Sequence, residues 1–133
     1  MSLDDLLEEL KKEYLATFPA KIVLIDSLYK TQAFTELETE YHKLKGTGRT
    51  YGFPEVTQLG EVVERLCEVD REALRVAVPL SLTILTRIQK QREAGEILDI
   101  ESDPDFLVIV RLVMTASLVP LPPSSPPKTK PTR

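Results

Sequence analysis

One histidine occurs in the 133 residues, and its surroundings read His42-Lys43-Leu44-Lys45-Gly46-Thr47-Gly48. On a helix, Lys45 and Gly46 lie one turn from the imidazole on its own face, and Arg49 extends that face by a further turn. From Lys43 to Pro54 there is no acidic side chain, so a chain that is acidic overall carries a basic patch here. A glycine inside a helix costs about 1 kcal/mol relative to alanine, and access would compensate for it. With no side chain at Gly46, another protein's carboxylate or phosphate can come close to the ring nitrogen. Lys45 and Arg49 would then balance the charge of a phosphoryl group on that nitrogen, through charge-assisted hydrogen bonds or through their field. The cluster suits a phosphate carrier.

Little else in the chain competes with this chemistry. There is no Ser/His/Asp spacing and no glycine motif that would cradle phosphate. One cysteine, Cys67, and one histidine cannot build a clustered structural zinc site or an internal disulfide, so neither a metal nor a cofactor is expected. Cys67 reads as a small buried hydrophobe. The 17 Lys and Arg against 21 Asp and Glu leave a net charge of −4, which argues against nucleic acid as a partner. The N-terminus carries acid where an export signal needs positive charge. The longest apolar stretch, 106 to 119, contains Arg111 and is shorter than the roughly 20 residues of a membrane span. A soluble, cytoplasmic protein without membrane contact is expected.

The elements that must position His42 show helical spacing throughout. Leu3, Leu6, Leu7, Leu10 and Tyr14 form one amphipathic stripe, with Ser2 and Asp5 placed as a capping box. Phe18-Pro19 interrupts the pattern before Ile22, Ile25, Leu28 and Tyr29 resume it. Thr31 or Thr35 can cap the next helix, whose Phe34, Leu37, Tyr41 and Leu44 form a bundle-facing seam. Pro54 suits the first turn of its partner, with Val56, Leu59, Val63 and Leu66 as the matching seam, so the two should form an antiparallel hairpin. Asp70 can cap a last long helix that ends at Gly95, with a kink or break expected at Pro79. Beyond it, 102 to 117 is capped by Ser102-Asp103-Pro104-Asp105 and is apolar on all sides, which predicts helix packed on the bundle or at a homodimer interface.

These residues resemble the histidine-containing phosphotransfer (HPt) family, whose pattern is H-x-[LI]-K-G-[SA], a glycine ten residues after the histidine and an amide or acid near position +22. His42, Leu44, Lys45 and Gly46 match, Thr47 is a near match, Gly52 stands at +10 and Glu64 at +22. The break at Phe18-Pro19 is also similar to the family's passage into its second helix. The resemblance covers roughly Leu3 to Ala94. Thr47, Pro54, Pro79 and the segment beyond Gly95 depart from a minimal domain of this kind.

The resemblance implies an all-α, antiparallel four-helix bundle over 1–96. An additional apolar segment at 97–117 and a disordered, Pro-rich tail at 118–133 would follow; the P-x-x-P form at Pro120 to Pro123 falls in the tail. It also implies that Nε2 of His42 accepts and donates a phosphoryl group and that Glu64 accepts Nδ1–H, fixing the tautomer and leaving the Nε2 lone pair free. Lys43, Arg49 and Gly52 would support or steer docking. The implied partners are response-regulator receiver domains, which supply the aspartate and the metal ion, and a hybrid or sensor histidine kinase. His42 would be a phosphocarrier rather than a turnover enzyme. The reading from another class is a helical adaptor that binds a receiver or another partner without transfer.

Overall fold

The computed structural model describes residues 2–118 and contains six α-helices: α1 (Leu3–Ala16), α2 (Phe18–Lys30), α3 (Phe34–Tyr51), α4 (Pro54–Val69), α5 (Leu74–Glu93) and α6 (Pro104–Leu118). Single 3₁₀ turns precede α5 (Arg71–Ala73) and α6 (Ile100–Ser102). No strand occurs among the described residues. Helices α2 to α5 form the bundle, each packed on its neighbour in a closed ring, with α3 and α4 in the most extensive contact. Short connections make successive helices antiparallel. The expected tail, including Pro120 to Pro123, lies outside the described residues apart from Leu118, which ends α6. Among the described residues, no helix is long and apolar enough to cross a membrane.

Both predicted seams face inward: Leu37, Tyr41 and Leu44 of α3 are buried against Val56, Leu59, Val63 and Leu66 of α4. Gly52, at φ 78°, closes α3 in the left-handed region, and Pro54 opens α4 where its missing N–H would have had no helical partner. At the other end of α4, Asp70 accepts a hydrogen bond from the Ala73 amide and leads the chain into α5.

Three local expectations are corrected. Neither Thr31 nor Thr35 caps α3. Thr31 ends α2 and donates back to the Ser27 carbonyl, Gln32 takes φ 59°, and Ala33 begins α3 without a side-chain bond. Of the kink or break expected at Pro79, the break does not occur: α5 runs on to Glu93. Pro79 and Arg75 are exposed, so the carbonyl that loses its helical donor faces water instead of the core. The leucine stripe of α1 is only half used: Tyr14 is buried, whereas Leu3, Leu6 and Leu7 are 70%, 45% and 46% exposed.

Helix α6 packs across α4 and α5 and adds Phe106 and Ile109 to the same core. Asp103 holds it there. One of its carboxylate oxygens caps the Asp105 and Phe106 amides, and the other pairs with Arg87, which also donates to Asp105.

The core predicts an alkaline weakness. Burial, and after it the Glu38 carboxylate, pushes the Cys67 thiol up to about 12. An unfolded thiol ionises near pH ~8.5, so above that pH the unfolded chain loses a proton that the folded chain keeps. Stability is complete below this point and falls as pH rises towards the folded value. Tyr41, buried against Ser81, is raised as well and steepens the decline above about pH 10. Urea midpoints from pH 7 to 11 should show the loss, and Cys67→Ala should flatten its first part; an unchanged slope in the variant would count against this account.

Candidate phosphohistidine site

The site forms where α3 and α4 lie close together, and two glycines permit that approach. A Cβ on Gly60 would lie 2.6 Å from the Lys45 amide nitrogen and 2.7 Å from the Tyr41 carbonyl oxygen; one on Gly48 would lie 2.7 Å from the Thr57 backbone nitrogen. With the backbones that close, Glu64, one turn beyond Gly60, reaches across the hairpin to His42. Nδ1 of His42 lies 2.8 Å from Oε2 of Glu64, and Nζ of Lys45 donates to Oε1 at 3.4 Å. Both carboxylate oxygens are therefore engaged. The Glu64 side chain is 16% exposed and the imidazole 65%, so the orienting acid is shielded while the ring stands in solvent. Nε2 makes no hydrogen bond among the described residues.

Gly46 differs from Gly48 and Gly60: a Cβ there would meet nothing within 4 Å. Packing within the chain gives no reason for glycine at this position, whereas approach of an outside group does. Gly46→Ala should therefore stabilise the fold by about 0.5–1 kcal/mol through helix propensity, seen as a raised denaturation midpoint. It should also slow phosphoryl exchange with a protein donor more than with a small one. A destabilised variant would mean that Gly46 packs against something after all.

The remaining expected residues are spread along the hairpin. Lys43 is exposed but tethered, donating to Glu40 at 3.3 Å beside Lys21 at 2.7 Å. Burial works to raise the Glu40 carboxyl, and the hydrogen bonds and charges of the two lysines outweigh it, leaving the group below its ordinary range. Arg49 is exposed two turns from His42, beside Leu7, Leu10 and Lys11 of α1. Gly52 serves as the α3 terminus, and its carbonyl accepts from Arg92.

Several contributors had escaped sequence reasoning. Thr47 donates to the Lys43 carbonyl and shares a 2.8 Å hydrogen bond with the Tyr14 hydroxyl, tying α1 to the site helix. Tyr14 also stacks on Tyr51, with ring centroids 4.6 Å apart. Glu38 and Glu68 continue the α3–α4 ladder one turn below His42 and Glu64. Partial burial, then the neighbouring Glu68 carboxyl and the charge of Glu64, hold Glu38 above the usual carboxylate range. The one available signal was Gly60, an isolated glycine in a strongly helical pattern.

A four-helix bundle that presents one solvent-facing imidazole, oriented from behind by a carboxylate and flanked by lysine and an open glycine, defines a class of histidine phosphotransfer modules. Residues 3–95, more than two thirds of the chain, match the Hpt domain, and the protein belongs to that family. The family is known for histidine phosphotransfer in phosphorelays, where its members interact with receiver domains and histidine kinases. No curated protein and no solved structure matches the chain.

Proposed function

We propose that the protein is a cytoplasmic phosphorelay carrier in which His42 takes a phosphoryl group from one receiver aspartate and passes it to another. The observation that carries this reading is the 2.8 Å contact between Nδ1 of His42 and Glu64, with Nε2 left free and exposed. Glu64 accepts Nδ1–H and so keeps the lone pair on Nε2. That lone pair attacks phosphorus, the N–P bond forms, and the acyl-phosphate P–O bond breaks to return the receiver's aspartate as carboxylate. The ring gains positive charge in this step, and the Glu64 carboxylate stabilises it. Lys45, bonded to Glu64 at 3.4 Å, supplies positive charge beside the ring to balance the incoming phosphoryl oxygens. Lys43 and Arg49 steer the partner by their field.

The test is to expose the folded protein to phosphoramidate and, separately, to phosphorylated receiver domains. One phosphoryl group should be added, stable in alkali and lost in acid, and it should map to the peptide that contains His42. A folded protein that gains no adduct from either donor would favour the adaptor reading. Division of labour between 1–96 as the transfer unit and 97–117 as an accessory segment is part of the same proposal.

A further inference from the structure

An open groove of about 370 Å³ runs beside the site, lined by Lys45, Glu61, Val62, Glu64, Arg65 and Glu68, with Val113 contributed by α6. Glu64 is bonded to the imidazole and Lys45 donates to Glu64, so the groove is continuous with the transfer face. Val113 comes from outside the Hpt match, which ends at residue 95. A stable protein interface covers roughly 800 Å² on each partner, far more than one imidazole and its neighbours present. A receiver seated over His42 must therefore extend onto adjoining surface.

The groove's charges suggest what it takes. Glu64 is paired with Lys45, and Glu68 with Arg65 at 3.8 Å, while Glu61 has no ion-pair partner among the described residues. The unbalanced charge is negative, and Val62 and Val113 supply apolar walls. Along α3 itself, the stretch from Lys43 to Pro54 carries no acid, and of its side chains only Lys45 lines the groove. The unpaired acid at Glu61 and the acid-free stretch along α3 give the face around His42 an uneven charge pattern, which favours one docking orientation of a partner with complementary charges.

We propose that this groove is a receiver-docking site, in which a receiver segment bearing a lysine or arginine next to an apolar side chain seats between Glu61 and Val113 while the receiver's aspartate faces His42. The proposal rests on the phosphotransfer reading. It makes α6 a determinant of which receivers exchange with this protein.

The experiment compares wild type, Glu61→Arg and Val113→Gln in two reactions: loading by phosphoramidate, and transfer to those members of a purified receiver panel that unload the wild type. Loading should stay within about twofold, since a small donor at His42 does not need Glu61 or Val113. Transfer should fall about tenfold in Glu61→Arg, mainly through KM, with the deficit shrinking at high salt. Reversing the charge of the receiver's seated cation should restore it. Val113→Gln should lose about threefold; if that variant fails to fold, Glu61→Arg, at an exposed α4 position, decides alone. Wild-type transfer rates in the folded variants would overturn the proposal, as would sedimentation showing a wild-type dimer that Glu61→Arg dissociates. Failure of the wild type to load, or to exchange with any receiver, would instead remove the phosphotransfer reading itself.

Discussion

Replacing His42 by glutamine should abolish the acid-labile adduct and all receiver-dependent transfer while leaving the thermal midpoint within a degree or two. His42 is the only histidine in the chain, so no second imidazole can take over. The ring is 65% exposed and lies outside the core, and surface changes of this kind usually alter stability by less than about 0.5 kcal/mol. Glutamine can still donate a side-chain N–H towards Glu64, so the acid is not left without a partner. Its amide has no nucleophilic lone pair comparable to that of Nε2, and no N–P bond can form. Intact-mass measurement in alkali, beside circular dichroism, separates the two effects. Persistence of an acid-labile adduct in the variant would place the phosphoryl group on some other residue and sink the site assignment.

Gly60→Ala should have the second-largest effect, with loss of both stability and transfer. Alanine is the better helix former by about 1 kcal/mol, and at Gly46 that gain is expected to show. At Gly60 the added carbon would meet the Lys45 nitrogen and the Tyr41 carbonyl oxygen at 2.6 and 2.7 Å, both backbone atoms that no rotamer change can move. Relief requires α3 to shift away from α4 along the buried seam. Overpacking of this kind costs about 1–3 kcal/mol; the clash with backbone outweighs the propensity gain, and a fall of several degrees in the midpoint is expected. The same shift lengthens the 2.8 Å contact between His42 and Glu64, and displacements near 1 Å in a reacting site can cost up to about 100-fold in rate. The opposite stability signs at Gly46 and Gly60 make the pair a sharp test. A stabilised Gly60→Ala would mean that the hairpin is looser than described.

These two glycines also show where reading the chain linearly stops. The helices, the inward seams of α3 and α4, the Ser2–Asp5 capping box, the Gly95 terminus and the basic patch around His42 were all legible. Each depends on residues within a turn or two of one another, and spacing reports such relations directly. Glu64 was singled out by family resemblance and not by any local pattern. Its contact with His42 spans 22 residues and a helical turnaround, and periodicity alone does not set the axial register and rotation of two packed helices.

Tertiary structure alone decided the rest. The Gly60–Lys45 approach sets the register that brings Glu64 to Nδ1. Thr47, a departure from the family pattern, becomes the hydrogen-bonded anchor for Tyr14 and hence for α1. Leu3, Leu6 and Leu7 of α1 look like core in the sequence yet stay exposed, because a helix that reaches the bundle through its last turns has nothing to cover its first ones. Val113 reads as one apolar residue among many in a helix apolar on every side, and only the packing of α6 across α4 places it in the groove that Glu64 also lines. The sequence by itself determined the helices and the chemistry offered at His42, since both follow from local covalent order. The tertiary structure decided which side chains share that site, since this depends on how close two backbones can come and on which face each helix turns towards the other.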